Sequence, residues 1–296
     1  MAWHGRAMGE LDWPFLGAEA LACKAIPERA MRSLYEAVYP GVYVPWRVEL
    51  TASQRARAAW LWSRRRAVVT GQSAAALLGA KWVDPLAPAE LAYRNRRPPA
   101  QITVHTDRLL DAEVLAVDGI SVTSPARTAF DIGRRTTTRL QALQRLDALT
   151  NATDIKPSDV EAVIAEHSGA RSLLRLRRVL SLVDGGAESP QETRTRLALI
   201  DAGLPRPQTQ IRVLDEYGDF VARIDMGYED LRVGIEYDGP QHWTNREQRD
   251  RDIDRYTALL DVGWTIIRVS SELLRYRQGT FVARVVAAMQ TRGWRP

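Results

Sequence analysis

The chain has 296 residues, 45% of them hydrophobic and 26% charged, a length and composition that predict two or three globular domains and exclude wholesale disorder. No apolar run is long enough to span a bilayer and the N-terminus lacks the layout of a signal peptide, so a cytoplasmic protein with no membrane partner is expected. Cys23 is the one cysteine, which excludes an internal disulfide and a cysteine-rich zinc site and leaves carboxylates to hold any hard metal ion.

The net charge of +5 is unevenly spread: up to Asp184 there are 25 basic and 19 acidic residues, after it 16 and 17. Lysine occurs only at Lys24, Lys81 and Lys156, so nearly all the cations are arginine, whose planar fork suits bidentate contacts to phosphates and base edges. A GC-rich coding bias is the alternative source of so much arginine, and clustering is more informative than the total. Arg64, Arg65 and Arg66 form one cluster, Arg94, Arg96 and Arg97 a second, Arg134 and Arg135 a third.

Along the chain, Leu16, Ala20 and Leu21 open a first helical stretch, and Pro27 leads a second in which Met31, Leu34, Tyr35 and Val38 recur at helical spacing. The turn at Pro40-Gly41 then feeds a short β-ribbon, giving helix, helix, wing, the order of a winged helix-turn-helix. Arg29 and Arg32 lie on the expected recognition helix, and with Arg64, Arg65 and Arg66 they are the candidate nucleic-acid contacts. Further on come a helix at Ser73–Leu78, strands at Ile102–Thr106 and Gly119–Thr123, and a helix at about 170–183 that Gly185-Gly186 breaks. No catalytic spacing is present in this middle region. The Pro40-Gly41-Val42-Tyr43 turn, with the Gly71-Gln72-Ser73-Ala74-Ala75 and Asp118-Gly119-Ile120 through Ala126-Arg127-Thr128 segments, resembles the AbiEi-type antitoxins of bacterial type IV toxin–antitoxin systems. That resemblance covers about the first 150 residues and implies a winged helix that binds DNA and represses its own operon, with a cognate toxin as partner.

A new helix starts at Ser189-Pro190-Gln191-Glu192, with serine as N-cap and glutamate three residues on, and Gly203 closes it. Three β-like segments come next: Arg212–Leu214, Phe220–Met226 and Arg232–Asp238. Strict alternation puts Phe220, Ala222, Ile224 and Met226 on one face and Asp225 with Arg223 on the other, while Glu236 and Asp238 share a face of the third strand. If the two strands are neighbours, Asp225, Glu236 and Asp238 converge, and three adjacent carboxylates repel unless protons, arginines or a cation compensate them. Mg2+ or Mn2+ is the expected ion, held by all three, because both prefer oxygen ligands and can activate water beside a phosphoryl group. The competing reading is a row of strand carboxylates paired with Arg223, Arg232 or Arg268.

Thr244 with Glu247 predicts the start of a helix reaching Gly263, followed by a strand at Trp264–Ser270 and a helix at Phe281–Met289. The order helix, three strands, helix, strand, helix, with Ile224-Asp225 and Glu236-Tyr237-Asp238-Gly239-Pro240-Gln241-His242, resembles the PD-(D/E)xK nuclease superfamily and, within it, the Vsr-like endonucleases. The resemblance covers residues 187–294. It implies Asp225 and Glu236 as metal ligands, Glu192 as an auxiliary acid, and Gln241 or His242 beside the reaction centre. Each has a rival role: Glu192 as a helix cap, Gln241 as a turn residue, His242 as a structural histidine. The superfamily pattern has lysine two residues after Glu236, where this chain has Asp238. Asp238 is then either a third ligand or the mark of a non-catalytic site, with Arg223, Arg251 or Arg255 available as cations.

The sequence thus predicts a mixed α/β (α+β) protein with a winged helix in residues 1–48, an AbiEi-like α+β region in 49–184 and a nuclease-like α/β sandwich in 187–296. The expected function is metal-dependent hydrolysis of DNA phosphodiester bonds. The alternative is a non-catalytic, antitoxin-like repressor with a degenerate nuclease fold.

Overall fold

The computed structural model describes residues 12–95, 97–239 and 246–295, the stretch 246–253 by its backbone alone. The chain divides into two compact units, one of residues up to Thr137 with Ala152–Ser181, the other of Thr138–Asn151 with the residues from Leu182 onward. Among the described residues no helix is long and apolar enough to cross a membrane.

The first unit opens with β1 (Phe15–Leu16), α1 (Gly17–Ala22), α2 (Glu28–Leu34), β2 (Tyr35–Tyr39) and β3 (Val42–Pro45). The strands form an antiparallel sheet in the order β1-β3-β2, so two short helices feed a hairpin wing. The helix expected to continue to Val38 stops at Leu34, because Tyr35–Tyr39 pair with β3 around a tight turn in which Gly41 takes φ +80°. Aromatic and β-branched side chains favour that pleated ribbon over a further helical turn.

α3 (Ala52–Trp62), started by a reciprocal Thr51–Gln54 capping box, links the wing to a second sheet. Its Ala56, Ala59 and Leu61 share one core with Leu16, Tyr39 and Val42 on one side and Val69, Leu91, Ile102 and Val122 on the other. The boundary expected at residue 48 therefore does not separate two cores. The remaining elements are β4 (Val68–Val69), α4 (Gly71–Leu77), β5 (Ala89–Ala92), β6 (Ile102–His105), β7 (Val114–Val117), β8 (Ile120–Thr123) and α5 (Pro125–Arg135). Their five-stranded sheet has the mixed order β6-β5-β4-β8-β7. After α6 (Arg139–Thr153) come α7 (Pro157–Glu166) and α8 (Leu173–Leu180), the last starting later than predicted because Ser172 before it sits at φ +68°.

Most of α6 belongs to the second unit, whose other elements are α9 (Pro190–Asp201), β9 (Gln208–Leu214), β10 (Phe220–Tyr228), β11 (Val233–Asp238), α10 (Arg246–Asp261), β12 (Thr265–Ser270), α11 (Ser271–Tyr276) and α12 (Gln278–Thr291). The sheet order is β12-β11-β10-β9, antiparallel except for β12, which returns beside β11 in parallel after α10. Leu199, Leu273, Leu274, Phe281, Val285 and Met289 from α9, α11 and α12 pack against Met226, Val233, Ile235 and Val269, while Leu259 of α10 packs against Ile211, Ala222 and Ile224. These are the two halves of an α/β sandwich.

The tie between α6 and α9 is ionic and buried. Arg196 donates to the Asp147 carboxylate at 2.7 Å, Thr193 and the Asp184 N–H donate to the same carboxylate, and Arg196 and Asp147 are at most 1% exposed. The division expected between residues 184 and 187 therefore leaves out a helix on which this unit closes.

Candidate active site

The pairing of Met226 with Ile235 places Asp225 across from Glu236 on neighbouring strands. Alternation on β10 does not hold as expected. Ala222 and Ile224 pack with Leu259 of α10, whereas Met226 and Tyr228 pack with the α9, α11 and α12 side. The switch falls at Asp225, and on β9 the residue between the partners of Ile224 and Met226 is Gln210, whose φ is +53°. A left-handed residue inside a strand is uncommon for anything but glycine and breaks the period of two locally.

Asp225, Glu236 and Asp238 line one cleft of about 240 Å³ together with Arg223, Tyr237, Arg255, Tyr256 and Arg268. Glu236 is 5% exposed; its Oε2 accepts hydrogen bonds from Arg255 at 2.6 Å and from the Tyr256 hydroxyl at 2.5 Å, while its Oε1 is buried with no partner. Asp225 accepts the Tyr237 N–H at 2.9 Å. Burial pushes its carboxyl above the ordinary range, and the charges of Glu236 and Glu188 add to that against the opposing Tyr237 N–H and Arg255. Burial, helped by the bond to Glu236, likewise raises the Tyr256 phenol, keeping it a hydrogen-bond donor.

Glu192 stands at the capping-box position of α9 but closes a variant of the box: Ser189 caps the Glu192 N–H at 3.2 Å, while the Glu192 carboxylate accepts from the Glu188 N–H and the Ser189 hydroxyl rather than from the Ser189 N–H. It also interacts electrostatically with Asp225. Desolvation, with Asp225 and Glu188 adding to it, pushes its carboxyl up to about 7 although both local hydrogen bonds oppose the shift. The cap and the acidic neighbour are therefore one side chain.

Asp238 is paired with a cation on one oxygen only: its Oδ2 accepts from Arg268 at 2.5 Å, its Oδ1 is buried without a partner as Glu236 Oε1 is, and among the described residues no three acidic, histidine or cysteine side chains form a metal-holding group. The reason is the parallel β11–β12 register, which sets Arg268 beside Glu236 on the same face and within reach of Asp238. Asp225 and Glu236 do fit an oxygen-seeking ion, because the orphaned Glu236 Oε1 is the kind of buried acceptor that a cation satisfies and such ions need only one or two carboxylates. Gln241 and His242 lie outside the described residues. Glu188, Tyr256 and Gln210 escaped sequence reasoning, and only strand register and helix docking bring them near.

The candidate nucleic-acid contacts separate in a similar way. Arg29 and Arg32 are exposed on α2, with Arg32 only 3.9 Å from Glu28 at a highly exposed pair. Arg64 and Arg66 are exposed, and the Arg64 guanidinium lies against Gly41 in the wing turn. Arg65 is instead clamped on Glu19 by bonds of 2.5 and 2.6 Å. The Arg134–Arg135 cluster pairs with Asp107 and Asp131, beside the fully buried Arg127, which bridges Glu113 and Asp131.

Residues 67–182 match the family described as the AbiEi antitoxin C-terminal domain, and residues 194–289 match the restriction-endonuclease-like family REase_MTES_1575. The chain joins an antitoxin-type segment to a restriction-endonuclease-like segment and belongs to the family of two relatives in Mycobacterium tuberculosis. It is also 31% identical over 189 residues to the Mycobacterium tuberculosis proteins MT2308 and Rv2248, both described as uncharacterized, a match covering 64% of this chain and 68% of each relative. No solved structure matches. The carboxylate cleft lies wholly within the restriction-endonuclease-like segment, and α6 lies within the antitoxin-type segment while packing with the second unit.

Proposed function

We propose that this is a cytoplasmic DNA-binding protein whose C-terminal domain hydrolyses phosphodiester bonds with Mg2+ or Mn2+ held by Asp225 and Glu236. The observation that carries the reading is the buried, unpartnered Glu236 Oε1 across the strand pair from Asp225, in a domain of restriction-endonuclease type. The ion would polarise a phosphoryl oxygen and lower the pKa of an attacking water. The chain's own residues hold the site ready: the Tyr237 N–H orients Asp225, and Arg255 with Tyr256 orients Glu236. Glu192, raised to about 7, is suited to exchange a proton near neutral pH. His242 is a second candidate acid or base, with Gln241 beside it. Arg29, Arg32, Arg64 and Arg66 would contact duplex phosphates, while Arg65 supports α1 through Glu19.

The test is cleavage of supercoiled and linear DNA in Mg2+ or Mn2+. Asp225→Asn and Glu236→Gln are each expected to remove activity and to weaken Mn2+ binding measured by calorimetry. A second reading, an antitoxin-like repressor with a cognate toxin as partner, is favoured by the antitoxin-type match and by Arg255, which already neutralises Glu236. Wild-type protein that neither binds Mn2+ nor cuts DNA, yet binds its own promoter, would establish that reading instead.

A further inference from the structure

Among the described residues the cleft is lined by three arginines and no lysine, and they are not equivalent. Arg255 is spent on Glu236, one of the two carboxylates suited to the ion, and Arg223 is paired with Glu188 at 2.9 Å. Arg268 alone has as its carboxylate partner a residue of the cleft outside the Asp225–Glu236 pair, namely Asp238. It projects from β12 at the position paired with Glu236, and its guanidinium lies 5.2 Å from the centre of the Tyr256 ring, whose hydroxyl bonds Glu236. Its side chain lines the cleft and remains 44% exposed.

We propose that Arg268 binds a non-bridging oxygen of the scissile phosphate, with Asp238 as its positioning residue. The cation that a lysine at residue 238 would supply arrives from the neighbouring parallel strand, and an aspartate at 238 holds it in place. The reason is geometric. Glu236 and Asp238 share a face two residues apart, Arg268 enters that face from β12, and a carboxylate–guanidinium bond of 2.5 Å fixes a long side chain that would otherwise sample many rotamers. A placed guanidinium stabilises charge as it accumulates on phosphoryl oxygens during displacement. This inference rests on the nuclease reading, of which it names the phosphate contact.

The experiment compares full-length wild type with Arg268→Ala, Arg268→Lys and Asp238→Asn in three measurements. These are the single-turnover rate on DNA in Mn2+, Mn2+ affinity by calorimetry, and binding of thymidine 3′,5′-bisphosphate in Ca2+, a probe too small to engage a winged helix. Arg268→Ala is expected to slow cleavage about 100-fold, the loss typical of one removed transition-state donor, and to weaken the nucleotide about tenfold with Mn2+ affinity unchanged. Arg268→Lys should recover part of both, and Asp238→Asn, which keeps an acceptor but not the charge, should fall between wild type and Arg268→Ala. Nucleotide binding and cleavage at wild-type level in Arg268→Ala would overturn the proposal. So would a loss of Mn2+ affinity in Asp238→Asn, which would make Asp238 a ligand. If wild type cuts no DNA and binds no Mn2+, the nuclease reading fails, and an Arg268-dependent nucleotide affinity would still uphold the phosphate contact; its absence as well would overturn both.

Discussion

Glu192 combines a cap with a titration. Its folded-state pKa of about 7 lies above the ordinary value of 4.5, so the unfolded chain releases this proton more readily than the folded one. Its contribution to stability is fully present below about pH 4.5 and is lost as pH rises through about 7. The loss is of order 3 kcal/mol at most, at 1.36 kcal/mol per pH unit. Without added metal, wild type is expected to lose stability relative to Glu192→Gln between pH 4.5 and 7 and to run parallel to it above, as read by urea midpoints across that range. Parallel curves throughout would show that Glu192 titrates normally. The sequence made Glu192 visible as a cap, since serine followed by glutamate three residues on is a local pattern. Its charged surroundings were not visible, because Asp225 is distant in sequence and burial is a property of the packed sheet and helix.

The helix α6 shows what a local pattern leaves open. Its buried Asp147 closes on Arg196 of α9 with three donors in all, so the pair is desolvated and mutually dependent. Arg196→Ala and Asp147→Ala should each cost about 3–5 kcal/mol, since either leaves an uncompensated buried charge. The double variant Asp147→Leu/Arg196→Met should be much less destabilised than the sum of the two, which denaturant unfolding of all four proteins would measure. A fragment of residues 187–296 lacks Asp147 and is expected to unfold at lower urea than the second unit does in the full chain. Strand β10 sets a different limit: a Cβ at Gly227 would stand 2.3 Å from the Val233 carbonyl oxygen, a backbone atom that cannot move aside cheaply. Gly227→Ala should therefore destabilise by about 1–3 kcal/mol, the usual range for overpacking.

At the scale of the whole molecule, the surplus of positive charge before Asp184 is reduced where it folds inward. Arg65, Arg127, Arg134 and Arg135 are all ion-paired within their own unit, whereas Arg29, Arg64 and Arg66 are among the exposed cations of the described residues, and Arg32 is exposed with only a 3.9 Å surface contact to Glu28. Arg29→Ala/Arg32→Ala should weaken duplex binding and flatten the slope of log affinity against log salt by about 0.9 for each phosphate no longer neutralised. Fluorescence anisotropy between about 50 and 200 mM salt tests this, in the range where such binding falls steeply. Glu236→Gln, far from these cations in sequence, should leave the slope unchanged. A slope that Arg29 and Arg32 do not alter would place the DNA-binding surface elsewhere.

Hydrophobic periodicity, caps and turn residues by themselves determined the helix–helix–wing order, the start of α9 at Ser189, and the succession of strands that carries Asp225 and Glu236. Each of these is written in neighbouring residues. The tertiary structure alone decided what depends on register and burial. It ended α2 at Leu34 by pairing Tyr35–Tyr39 with the wing, switched the buried face of β10 at Asp225, and moved α6 into the second unit through Asp147 and Arg196. It also turned Asp238 toward Arg268, because parallel pairing of β11 with β12 joins residues 30 apart, a relation that no local pattern in the chain encodes.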